Sequence, residues 1–271
     1  MNNPLTGLLV ALATALLLFS FSGYQLTSET AATRLLGRLA SSLVELERWV
    51  PSHSDDIQLL ARDRAGETVV VDDLPVDVVL PSEAVLAAGE NDAALAELLR
   101  DAMAQRLYLE GRDVLQDETG ATHLGISEPV RWTVSFLDSG THGTWRLALI
   151  VSGLLTALFA GSFFWARRSP LLPMAAGAGI AAAVALLAWI VARAIGSSFE
   201  SAVDQEIALI LRDGAWLGLR NSLAAGAILL SLAYLYNALI LPRMQRDEGY
   251  DWPEAEEYYD PYPPEDSPQT H

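Results

Sequence analysis

His123 and His142 stand in glycine-containing loops with Asp138 nearby, and imidazole plus carboxylate is the ligand set of a zinc-type site. The spacing does not build one. The two histidines lack the i,i+4 separation of a helix-borne ligand pair, and no second carboxylate lies beside them. They read as loop histidines, and no metal is expected. The chain has no cysteine. That removes disulfides, thiolate zinc sites, iron–sulfur clusters and cysteine nucleophiles together. No nucleophile–base pair is recognisable elsewhere, so the chain is read as non-enzymatic and without a cofactor.

Two other groups of residues have the types and spacing for contact with a partner. Gly153, Ala157 and Gly161 recur every four positions, with Ser152, Thr156 and Ala160 beside them. Ala175, Gly179 and Ala183 repeat the pattern further on, followed by Ser222 and Gly226. Small residues at this spacing let helix backbones approach closely in lipid, either within one chain or between copies. The second group is Trp252, Tyr258, Tyr259 and Tyr262, set among acids and prolines in the C-terminal tail. Aromatics in that setting suit a docking motif for a basic partner, or a plain solubilising tail.

The elements that must position these residues are membrane helices. Of 271 residues, 51% are hydrophobic, the mean hydropathy is +0.26, and the apolar residues collect in long runs. Four runs reach the roughly 20 residues a helix needs to cross the hydrocarbon core: about Leu5–Leu26, Leu147–Ala166, Leu171–Ala192 and Asn221–Leu241. The first (residues 1–26) is read as an uncleaved anchor, because Met1–Pro4 has no basic residue and the run is long for a signal peptide. The second and third (146–195) are joined by Arg167-Arg168-Ser169-Pro170 and are expected to pack as a hairpin. No Asp, Glu, His, Lys or Arg lies inside any of the four cores. Proton relays and coupled transporters usually place such groups there, and bound haem usually needs an axial histidine.

Between the first two spans, residues 27–145 read as a small α+β domain. Ala32, Leu36, Leu39, Leu43, Leu46 and Val50 alternate spacings of four and three, an amphipathic helix expected to end before Pro51. Ile57–Ala61 and Thr68–Val71 around Asp63–Glu67 read as a hairpin, and Val76–Leu80 as another β-rich run. A helix follows from Pro81-Ser82-Glu83 to Gly89, and a longer one from Asn91-Asp92 to Gly111. Trp132–Phe136 reads as a last strand. A helix, a strand, an Asp-x-x-Gly turn and a strand is also an order met in extracytoplasmic sensor domains.

Residues 196–214 are expected to form a short amphipathic helix, capped by Ser201 and Asp204, with Phe199, Val203, Ile207 and Ile210 on one face. The fourth span occupies 215–242. The tail, 243–271, reads as disordered from its acid, proline and tyrosine content.

Charge is uneven within a net −17. Thr27–Thr144 has 21 acidic residues against nine arginines, and Asp247–His271 has nine acidic residues and no lysine or arginine. Nucleic acid is thereby excluded as a partner. Placing Arg167, Arg168, Arg243 and Arg246 in the cytoplasm puts both termini inside and the domain outside, in the cell membrane. The sum is a mainly α, multi-pass membrane protein that binds or senses through its extracytoplasmic domain, or serves as a scaffold for other membrane proteins or a homo-oligomer. The alternative is an accessory subunit of a transport complex. The layout resembles that of the permease family that includes partners of bacterial cell-division and macrolide-export ATPases. The four-residue link at Arg167–Pro170 is too short for the ATPase-engaging helix that the resemblance implies.

Overall fold

The computed structural model describes residues 4–72, 74–89, 91–115, 126–165 and 169–240. They are mostly helical. In chain order the elements are α1 (Pro4–Leu26), α2 (Glu29–Val44), α3 (Leu46–Asp63), β1 (Thr68–Val71), β2 (Val78–Pro81), α4 (Ser82–Ala88), α5 (Asp92–Glu110), a 3₁₀ turn Gly111–Leu115, α6 (Glu128–Leu137), α7 (Ser139–Trp165), α8 (Leu171–Gly196) and α9 (Ala202–Leu235), which ends in a π turn, Tyr236–Ile240.

Four of these helices are long and apolar enough to cross a membrane: Pro4–Leu26, Ser139–Phe163, Leu171–Gly196 and Ala202–Leu239. Their packing departs from the expected hairpin. α1 lies between α7 and α8, and α8 pairs along its length with α9. Close backbone approach explains the insertion. A Cβ at Gly177 would collide with the carbonyl oxygen of Ala11, so glycine lets α1 rest directly on α8. On the other side of α1, the fully buried Ser152 and the nearly buried Thr156 of α7 return their hydroxyls to their own helix at Leu149 O and Ser152 O. Both therefore pack as small groups without an unpaired donor.

The domain between α1 and α7 has one core. Leu36 and Leu39 of α2, Val50, Ile57 and Ala61 of α3, Val69 and Leu80 of the strands, and Leu95, Leu99, Met103 and Leu107 of α5 all enter it. Of the seam read from the sequence, Ala32, Leu36, Leu39, Leu46 and Val50 are buried inside this domain and Leu43 is partly buried against it. The sheet is a two-stranded antiparallel ribbon pairing Val69 with Leu80 and Val71 with Val78. Asn91 caps α5 by accepting from the amides of Ala93 and Ala94, and Gly111 ends it at a φ of 65°.

Three local expectations are corrected. The break in the first amphipathic helix falls at Glu45, in the left-handed region with φ 48° and ψ 52°. The next helix then runs through Pro51 to Asp63. Ile57–Ala61 is therefore helical, and β1 takes β2 as its partner instead. Ile57 and Ala61 are one helical turn apart and both buried, whereas Leu59 and Leu60 between them are exposed, a helical face in place of a strand's alternation. Trp132–Phe136 is also helical. Pro129, in the first turn of α6, presets the helical φ, and Val130, Val134 and Leu137 bury one stripe.

The short helix expected at 196–214 is not separate from the last span. α9 runs for 34 residues without interruption, about 51 Å at 1.5 Å per residue, so it exceeds the hydrocarbon core by some 20 Å. The excess enters the domain, where Ile207 and Ile210 join its core. Arg38 of α2 meets Glu206 at 2.8 Å and Asp213 at 3.0 Å, two carboxylates seven residues apart on the same face of α9.

Candidate functional site

Where the domain meets the spans, the helices leave an apolar cavity of about 510 Å³. Its walls are the domain-side halves of α1 (Ala15–Leu26), α8 (Ile180–Ala188) and α9 (Ile210–Ser222), with Trp145 of α7 on one flank and Trp132, Thr133 and Phe136 of α6 forming the roof. Ala15 and Leu26 are 11 residues apart, so the cavity extends along about 16 Å of α1.

Small residues make the space. α8 contributes Ala181, Ala185 and Ala188 to the wall, and α9 contributes Gly214, Ala215 and Gly218. Larger side chains are excluded at two of the glycines. A Cβ on Gly214 would lie 2.8 Å from Leu26 Cδ2, and one on Gly23 would lie 2.5 Å from the Trp145 ring. Gly23 thus lets the indole lie flat against α1.

The roof is tied down by aromatics. Trp132 stacks on Phe136 at 5.5 Å between centroids, Phe136 meets Trp145 edge-on at 6.2 Å, and Trp145 meets Phe19 edge-on at 5.3 Å. Trp145 and Trp189 lie toward the domain-side ends of α7 and α8, Trp216 lies near the middle of α9 where its apolar part begins, and Tyr234 and Tyr236 lie at the far end of α9. Tryptophan and tyrosine collect at membrane–water boundaries.

Polar groups in the cavity are few and mostly satisfied. Ser22 Oγ, in the lining, accepts from Asn221 Nδ2 at 3.2 Å, and outside the lining the same amide donates to Gln25 Oε1 at 2.7 Å, which joins α9 to α1. Ser22 in turn donates to Leu18 O, and Thr133 to Pro129 O. The exception is Trp145 Nε1, which is buried without an acceptor. A buried donor left unpaired costs about 1–3 kcal/mol.

No family model matches this chain, and neither does any curated protein or solved structure.

The residues singled out by sequence fall elsewhere. His142 stacks on Tyr24 at 4.6 Å and shares a hydrogen bond of 3.1 Å with Thr27 Oγ1, while Asp138 caps α7 by accepting from the Thr141 amide at 2.7 Å. His123 lies outside the described residues, among which no group of three metal-ligating side chains occurs. Of the first small-residue stripe, Gly153 faces Leu17 of α1 at 3.8 Å, whereas Ala157 and Gly161 are exposed. Of the second, Ala175 is half-buried and Gly179 and Ala183 are exposed; the tight contact is made by Gly177. Gly226 meets Ala178 at 3.5 Å. Trp252, Tyr258, Tyr259 and Tyr262 lie outside the described residues.

Sequence reasoning missed the cavity and the Asn221–Gln25–Ser22 contact. The signal for the contact was present in two side-chain amides, Gln25 and Asn221, at the ends of apolar runs. The cavity had no comparable signal, since its walls come from five separated segments.

Proposed function

We propose that this chain is a non-catalytic, multi-pass membrane protein that binds the acyl chain of a membrane lipid, or of a lipid-linked compound, beneath its extramembrane domain. The observation that carries this reading is the apolar cavity under α6. It is open on one side, its volume falls in the range of about 300–1,000 Å³ common to small-molecule sites, and its walls are helices long and apolar enough to cross a membrane. The medium on those walls is lipid hydrocarbon. The segment after Ile240 is a poor alternative occupant, because it leaves α9 at the far end of the span and is rich in acids.

The domain is the sensing part in this reading. α6 covers the cavity and also buries Val130, Val134 and Leu137 in the domain core, so an occupant that lifts α6 changes the packing of that core. The domain faces outward and both termini lie in the cytoplasm, as the arginines of the tail-side ends favour.

Thermal unfolding of the delipidated full chain in detergent, with and without added phosphatidylcholine, tests the proposal. A ligand that binds only the folded state raises stability by about 2.7 kcal/mol at a hundred times its dissociation constant. The lipid is expected to raise the unfolding temperature of the native sequence and to leave Ala181→Phe, which fills the cavity, unchanged. An equal rise in both proteins contradicts binding in this cavity.

A second reading, a subunit of a larger membrane assembly, is favoured by Ala157, Gly161, Gly179 and Ala183. These small residues lie on the surface of the spans, with open space at Gly161 and Gly179. Gentle detergent extraction followed by mass spectrometry of co-purifying proteins tests it; a stoichiometric membrane partner is the expected result.

A further inference from the structure

A second cavity, of about 240 Å³, lies between α8 and α9 nearer the domain and is lined by Arg193, Arg212, Gln205 and Ser197. We propose that it holds the phosphate of an anionic lipid headgroup.

Its position comes first. The residues lining it on α8 and α9 are not those lining the apolar cavity, and Arg212 sits roughly 160° around α9 from Gly214. The two cavities therefore open on different faces of the helix pair. The inference rests on the membrane placement of the spans and not on the occupant proposed for the apolar cavity. Arg193 lies over the Trp189 ring at 5.5 Å from its centroid. An indole at the end of a span marks the interface, and an arginine one turn beyond it reaches headgroup depth.

The chemistry comes second. α8 and α9 approach closely here, because a Cβ on Gly196 would lie 3.0 Å from Ala208 Cβ. That closeness brings a guanidinium from each helix to one notch. Arg193 has no carboxylate partner among the described residues. Among the described residues Arg212 has only Asp213, at 3.6 Å, and Asp213 is already held by Arg38 at 3.0 Å. Ser197 Oγ donates to Ala194 O, and Gln205 Nε2 spends a donor on Phe199 O. The free donors are thus guanidinium N–H groups, whose planar fork matches two phosphate oxygens. What sets Arg193 and Arg212 apart is that two guanidinium groups from different helices line one notch, an arrangement that an anion suits. At this depth the anion in reach is the phosphate of a lipid.

The delipidated full chain is titrated with phosphatidylglycerol and, separately, phosphatidylcholine, and bound lipids are counted by native mass spectrometry. Phosphatidylglycerol is expected to bind first. Arg193→Gln and Arg212→Gln are each expected to weaken it about tenfold, the scale of one charge-assisted hydrogen bond. Arg146→Gln, which removes a charge at the domain-side end of α7, is expected to leave it unchanged. Ala181→Phe, in the apolar cavity, is expected to keep the preference. Three outcomes overturn the proposal: undiminished phosphatidylglycerol in the two notch variants, an equal loss in Arg146→Gln, or displacement by excess inorganic phosphate, which makes the notch a site for a free anion.

Discussion

Glu45 is the only non-glycine residue with a positive φ among the described residues, and it turns the chain between α2 and α3. A side chain in the left-handed region costs about 1–2 kcal/mol relative to the right-handed one, and glycine avoids most of that. Its ion pair with Arg48, at 2.6 Å, is exposed and offsets little. Glu45→Gly is therefore expected to raise the domain's unfolding free energy by several tenths to about 1 kcal/mol in chemical denaturation; a loss of stability contradicts the strain.

Tyr108 gives the domain a dependence on pH. Burial, then the carboxylates of Glu29 and Asp138, raise its pKa above the phenol's ordinary 10.0. The folded state then holds its proton where the unfolded chain releases it. The stabilisation is complete below the unfolded value, about pH 10, and is lost as pH rises through the raised one. Tyr108→Phe cannot ionise. The expected outcome is a smaller alkaline loss of stability than in the native sequence, read by circular dichroism across that window; identical alkaline profiles contradict the assignment.

At the scale of elements, α9 decides how the parts are coupled. A capped amphipathic face and an apolar run were both legible, at Ser201–Ile210 and from Asn221 onward. That they form one helix was not, because Arg212, Asp213 and Arg220 separate them and a polar stretch reads as a boundary. The structure gives Asp213 to Arg38, and Arg212 lines the notch, so these charges sit on a helix with nothing to break it. Arg38→Ala leaves Glu206, whose carboxylate is largely buried, without its counter-ion. The expected cost is on the order of 1 kcal/mol after allowing for the half-exposed arginine and Asp213. Hydrogen exchange should rise at the domain end of α9 and not in its membrane half; an even rise along α9 contradicts a local clamp.

The helices of the domain divide by the same logic. α5 was legible from Asn91 to Gly111 because its signals are local: a cap, a periodic apolar face and a glycine stop. Ile57–Ala61 and Trp132–Phe136 were misread because five residues rich in apolar and β-branched types fit a strand as well as a buried helical stripe. Tertiary contacts with α5 and with the 3₁₀ turn settle the choice. The break at Glu45 had no signal, since glutamate is not a residue the left-handed region favours.

At the scale of the molecule, four runs of apolar residues sufficed to read four candidate spans, as length and hydropathy are summed properties. Their arrangement was not readable. α1 between α7 and α8 depends on Gly177 meeting Ala11, and the apolar cavity depends on Gly23 meeting Trp145 and Gly214 meeting Leu26. Each pair is far apart in sequence. The stripe chosen on α8 was one face off for the same reason: Gly177 and Gly179 are equally small, and only the fold shows which of them α1 touches.

The proposed function requires an occupant in the apolar cavity that α6 covers. Native mass spectrometry of the full chain released from gentle detergent tests this most directly, with Ala181→Phe and Ala188→Phe measured beside it. One lipid mass retained by the native sequence and lost from both variants, with helical content unchanged, is the result the account predicts. Retention of the same lipid by the filled variants, or none by the native sequence, contradicts it.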